Sequence, residues 1–172
     1  MGGLAAHLGR AIATVDNYLR RDPPAGDVTL VDAVGYLTTA LGDHDPLTSE
    51  FHAKVRARGE QAAEDGHGAI AQSTREIIDG LADEAFALDR PLEVLAGIGI
   101  SLGDYLETRL VELLIHTRDL CDSIGIESPM FPAGAWDVVA HTLAATAIAR
   151  NGSEAVALGL ARADRMPPAR SF

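Results

Sequence analysis

The segment from residue 101 to 124 constrains the fold of this chain more than any other, because it reads as one long helix that is apolar on nearly every side. Ser101 is suited to cap its start, and Asp104, three positions on, approximates the capping box that satisfies the first free backbone N–H groups. Gly125 supplies the stop. With Leu102 set at 0° and about 100° per residue, Leu102, Leu106, Leu110, Leu113, Leu120 and Ile124 fall within roughly an 80° stripe. Tyr105, Arg109, Glu112, His116 and Asp119 line the flank beside it, while Val111, Leu114 and Ile115 lie on the far side. A helix of this kind sits at the centre of a bundle or inside an interface. Its polar flank is then withdrawn from water, and burying Glu and His there costs several kcal/mol unless they find partners.

The composition agrees with packed helices. Hydrophobic residues make up 47% of the chain but aromatic ones only 5%, so the core must be aliphatic. A length of 172 residues suits one domain with a full-sized core, and residues 1–172 are expected to form that single helical domain. The formal net charge of −11 argues against sequence-independent binding to nucleic acid or anionic lipid, since both need surplus Lys and Arg. No apolar run approaches the ~18 residues that span a bilayer, and the first residues lack the charged and apolar regions of a signal peptide. A soluble, cytoplasmic protein with no membrane or nucleic-acid partner is expected. The one cysteine, Cys121, permits no intramolecular disulfide and reads as a small buried hydrophobe rather than a nucleophile.

Apolar periodicity predicts a first helix over residues 4–20, with Leu4, Leu8, Ala11, Ile12, Val15 and Leu19 on one face. Further helices are predicted over 29–41, 47–64, 69–88, 135–150 and 153–164, separated by Pro-, Gly- and Asp-rich breaks. Gly97-Ile98-Gly99-Ile100 is a connection that is at most briefly extended. No internal repeat is present and no strand pattern persists, so the expected fold class is all-α, a helical bundle.

Glu112 and His116 stand four positions apart, roughly 40° around the helix axis, so both can reach one point in space. That point suits a divalent metal; on spacing alone, an ordinary pairing of Glu112 with His116 or with Arg109 is the commoner reading. A metal site wants a third protein ligand, which must come from another helix. His44 and His67 fall in Gly/Asp-rich breaks and read as exposed loop residues, and His52 lies on a charge-dense, solvated helix. His141, among small apolar neighbours, reads as a satisfied core histidine. His7 sits at the edge of the first helix's apolar stripe, as His116 does on its own helix, and two such histidines can converge across a bundle. A hydrogen-bonded core histidine is the alternative at that position.

The block Leu4-Ala5-Ala6-His7-Leu8, followed much later by the run from Tyr105 to Leu120 that contains Glu112-x3-His116, resembles the metal-binding domain of mycothiol-dependent maleylpyruvate isomerases. That domain belongs to the wider DinB-like superfamily of four-helix bundles. The segment from Leu158 to Arg165 is similar to the last helix of such domains. The resemblance implies that a divalent ion, usually taken as zinc, is held by His7, Glu112 and His116. The rest of the site would be open to water or to a low-molecular-weight thiol, with mycothiol as cosubstrate. A Lewis acid of that kind makes thiolate available near neutral pH, which implies thiol S-transfer to a small electrophilic substrate. The competing readings are a non-catalytic metal- or thiol-binding module and a helical protein without metal. The mixed ligand set also admits nickel, manganese or iron. No catalytic acid or base stands apart; Tyr105, Arg109 and Asp119 can orient ligands, contact an anionic cosubstrate or make ordinary salt bridges.

Two departures bear on this. Family members usually begin with another helix and a Trp-containing stretch, whereas six residues precede His7 here, so part of the usual N-terminal helix is expected to be lacking. An uncovered apolar face beside the first helix, or a homodimer that hides it, would follow. The isomerase also carries a further C-terminal domain and this chain stops at Phe172, so isomerisation of maleylpyruvate is not implied.

Overall fold

The longest helix begins where its cap dictates. Ser101 Oγ accepts from the Asp104 backbone N–H at 3.0 Å and donates to Asp104 Oδ2 at 2.8 Å. The helix ends at Gly125, whose φ of 71° is readily available to glycine and lets its N–H turn back to the Cys121 carbonyl. The computed structural model describes residues 2–24, 26, 28–41, 50–64, 66–87, 89–95 and 97–162. In chain order their elements are α1 Gly2–Leu19, β1 Thr29–Val31, α2 Ala33–Leu41, α3 Glu50–Ala63, α4 His67–Gly80, a 3-10 turn Asp83–Phe86, β2 Pro91–Leu95, β3 Ile98–Ser101, α5 Leu102–Ile124, α6 Ala133–Asn151 and α7 Ser153–Ala161.

The fold is an all-α bundle with a small sheet attached. Helix α5 lies between α1 and α6, with α2 packed against both α5 and α6. Its central position explains why the deepest residues do not follow the predicted leucine stripe. Leu102, Tyr105, Thr108, Val111, Leu114 and Cys121 are the buried ones, whereas Ile124, at the stripe's end, is 45% exposed. Neighbours on opposite sides draw in residues from the polar flank and the far side alike. Val111 and Leu114 pack with Val139 of α6, and Tyr105 joins Val15, Leu92, Ile100 and Leu102 in a second cluster. Cys121 is buried, as the sequence predicts.

The strands depart from expectation. The helix predicted over 29–41 begins only at Ala33, because Thr29–Val31 pair in parallel with Ile98–Ile100. Strand β2 pairs with β3 antiparallel, giving the order β1-β3-β2. Gly99 makes this approach feasible: a Cβ there would lie 2.7 Å from Val28 Cγ2 and 2.9 Å from Leu30 Cδ2. The helix predicted over 69–88 stops at Gly80 and is followed by the 3-10 turn. The break at 42–46, the helix start at 47–49 and the last residues of the 153–164 prediction lie outside the described residues. Tyr18 Oη donates to Val94 O at 3.2 Å, and Arg90 Nη2 donates to the Tyr18 carbonyl at 3.0 Å and to the Arg21 carbonyl, closing the end of α1 against the sheet.

Among the described residues, the face beside the first helix that was expected to be bare is covered. Helices α3 and α4 both pack on α1, and only Arg10 and Asn17 within α1 are exposed. Small residues permit this closeness: a Cβ on Gly59 would stand 3.0 Å from Gly3 O, and one on Gly9 would stand 2.8 Å from Thr74 Oγ1. Among the described residues no helix is long and apolar enough to cross a membrane.

Candidate metal centre

Helices α1 and α5 run antiparallel, a geometry fixed by two contacts. Tyr18 meets Tyr105 edge to face with ring centroids 5.2 Å apart, and His7 meets Glu112 further toward the start of α1. His7 Nε2 donates to Glu112 Oε2 at 2.6 Å. His116 Nε2 lies 3.4 Å from the same oxygen, one helical turn along α5. The two imidazoles stand edge to face with centroids 5.0 Å apart. Residues 105 positions apart in sequence therefore meet around one carboxylate oxygen.

Electrostatics follow from this placement. Burial alone would raise the Glu112 pKa, but the hydrogen bonds of His116 and His7 override it and hold the carboxyl well below its usual range. His116 is raised above its ordinary value, first by its bond to Glu112, against the opposing effect of burial, and then by Asp119. Its Nδ1 donates to Asp119 Oδ2 at 3.0 Å. Asp119 thereby fixes the ring and leaves Nε2 facing the shared point, the arrangement seen behind metal-bound histidines generally. The side chains of His7 and His116 are 31% and 33% exposed and that of Glu112 17%, so the cluster opens to solvent on the imidazole side.

The donors fit a cation. A tetrahedral ion with N and O ligands at ~2.0–2.2 Å keeps them roughly 3.3–3.5 Å apart. One ligand atom from each of His7, Glu112 and His116 lies within 4.8 Å of the others, so modest side-chain rotations suffice. Three protein donors leave a further coordination position for water or a substrate atom.

The family model of the mycothiol maleylpyruvate isomerase N-terminal domain matches residues 1–121 of the chain. The chain belongs to that family. The matched span holds α1 and most of α5, and with them all three clustered side chains, while α6 and α7 lie beyond it. Comparison with curated proteins and with solved structures gave no match.

Other side chains weighed from sequence are placed elsewhere. Tyr105 is 1% exposed in the core, its pKa pushed up to about 12 by burial, with the Arg109 guanidinium stacked 4.8 Å from its ring centroid. His141 is exposed rather than a core residue, because α6 turns it to solvent, and its Nδ1 donates to the Asp137 carbonyl at 2.7 Å. His67 is exposed, as expected, but opens α4 instead of lying in a loop. His44 and the side chain of His52 lie outside the described residues. A cleft of about 250 Å³ lined by Tyr18, Arg21, Arg90 and Glu93 lies at the sheet end of α1, away from the histidines. Tyr36, which pattern reading passed over, has its pKa raised chiefly by burial, against the nearby charge of Arg109 and with a smaller push from Glu112.

Proposed function

We propose that the chain is a divalent-metal-dependent, thiol S-transferase-like protein of the cytoplasm, with His7, Glu112 and His116 as the protein ligands, zinc as the ion and a mycothiol-type thiol as cosubstrate. One observation carries the reading: three donor atoms from α1 and α5 within 4.8 Å of one another, on a partly exposed cluster. The family's printed name supports the choice of thiol.

A divalent ion bound there lowers the pKa of a thiol that reaches it and so makes thiolate available near neutral pH. The chain's own residues do the rest. Glu112 brings one negative charge to the site, so a bound dication stays only partly neutralised. Asp119 holds the Nδ1 proton of His116 and so keeps Nε2 directed at the shared point. The exposed edges of the two imidazoles leave the path by which small molecules enter. In the overall transfer the thiol proton passes to solvent, sulfur bonds to an electrophilic carbon, and the displaced group or the adding carbon takes the electron pair.

The test is thiol consumption. Protein loaded with zinc, incubated with mycothiol and a panel of small electrophiles, is expected to consume thiol faster than the metal-free protein, with the excess lost in His116→Ala. Thiol consumption no faster than the metal-free control would remove the transferase and leave a binding module.

A further inference from the structure

The cleft of about 250 Å³ at the sheet end of α1 is lined by charges of both signs. Arg21 and Asp22 come from the chain just past α1, and Arg90 and Glu93 from the chain entering and running along β2. Two guanidinium groups and two carboxylates thus share one small hollow. Among the described residues, neither arginine lies within 4.0 Å of a carboxylate oxygen. Opposite charges at such spacing attract, so a cleft that keeps them apart holds them by other bonds.

Those bonds are visible. Arg90 Nη2 donates to the carbonyls of Tyr18, at 3.0 Å, and of Arg21. The Arg21 guanidinium stacks over the Tyr18 ring, 4.9 Å from its centroid. Glu93 Oε1 accepts from the Gly97 N–H at 3.2 Å. Asp22 is exposed and makes no hydrogen bond or ion pair with another described residue. Arg90 is also left incomplete: its Nε is buried and has no hydrogen-bond partner. A buried donor of this kind costs about 1–3 kcal/mol when unmet and marks a place where an acceptor belongs. Leu92 and Val94 of β2 add an apolar wall to the same cleft.

We propose that this cleft binds a free aliphatic α-amino acid, with its carboxylate on Arg21 and Arg90, its ammonium on Asp22 and Glu93, and its side chain against Leu92 and Val94. Guanidinium groups match a carboxylate in shape and charge. A simple anion would face Asp22 and Glu93 with its own sign, and a simple cation would face the two arginines. A zwitterion answers both. The volume lies just under the ~300 Å³ at which drug-sized pockets begin, which suits a small metabolite. The site is separate from the histidine cluster, since Tyr18 follows His7 by eleven residues, roughly 16 Å along α1. It depends on neither the metal nor the thiol of the reading above.

The experiment is calorimetric titration of the full chain with leucine, with 4-methylvalerate, which lacks the ammonium, and with leucinamide, which lacks the carboxylate. It is run at about pH 6.5, where each probe carries its intended charge, on wild type, Arg21→Gln and Asp22→Asn. Leucine is expected to bind wild type at least about tenfold more tightly than either analogue. Arg21→Gln should erase its advantage over leucinamide, and Asp22→Asn its advantage over 4-methylvalerate. Both residues are exposed, so unliganded thermal midpoints should match wild type and a folding defect does not obscure the result. Zinc-loaded and metal-free protein should bind leucine equally, so failure of the metal reading and failure of this site are distinct outcomes. No leucine binding, leucine no tighter than the analogues, or affinity unchanged in both variants overturns the proposal.

Discussion

Glu112 carries a large electrostatic stake, since its oxygen is shared by two imidazoles while most of its side chain is out of water. Replacing it by Ala in the metal-free protein leaves the Nε2 atoms of both rings without the carboxylate they share, though His116 keeps its bond to Asp119, and a loss of about 1–3 kcal/mol in urea unfolding is expected. The pH dependence of the same protein follows from the two shifts. Glu112 is depressed, so its contribution is present above the ordinary carboxyl value of 4.5 and is lost as pH falls through the folded value. His116 is raised, so its contribution is present below the ordinary imidazole value of 6.5 and is lost as pH rises through the folded value. The cluster's share of the metal-free stability is therefore greatest between pH 4.5 and 6.5, and Glu112→Gln should flatten that maximum in melts taken across pH. Metal affinity takes the opposite course, rising with pH as His116 sheds the proton that a cation must displace. At this scale much was legible in the sequence. The i,i+4 step put Glu112 and His116 together, whereas the place of His7 at the edge of its stripe left a core histidine equally open until the resemblance was added, because no local pattern reports a contact across 105 residues.

Among the elements, the joint of α1 with α3 depends on having no side chain at Gly59. Gly59→Ala sets a Cβ 3.0 Å from Gly3 O and 3.2 Å from Gly3 Cα, backbone atoms that cannot rotate away. About 1–3 kcal/mol of destabilisation is expected in urea melts, with helix content by circular dichroism kept, since α3 loses its seat and not its helical propensity. The start of α5 offers a milder contrast: Ser101→Ala removes the oxygen that accepts from Asp104 N and should cost ~1 kcal/mol by the same measurement. That cap and the Gly125 stop were readable because both are local chemistry. The pairing of Thr29–Val31 with Ile98–Ile100 was not, because a three-residue strand is too short for alternation to register, and its partner lies some 70 positions away. The packing of α3 and α4 over α1, where a bare face was expected, is likewise a tertiary fact written in glycines.

For the whole molecule, a cation held between α1 and α5 ties the first helix to the central one and should stabilise the folded chain by mass action. At a hundredfold excess of zinc over its dissociation constant the gain is about 2.7 kcal/mol, visible as a raised thermal midpoint that chelator reverses. The all-α character and aliphatic core followed from composition and periodicity, but the central placement of α5 decides which of its sides is deepest, and a helix apolar all round does not disclose that alone. The most direct measurement of the central claim is metal analysis with X-ray absorption on purified wild type, His7→Ala and His116→Ala. One divalent ion per chain, with two imidazole nitrogens and a carboxylate oxygen in its shell and lost from both variants, is the expected result. A wild type without stoichiometric metal, or an ion that His7→Ala retains in an unchanged shell, would contradict it.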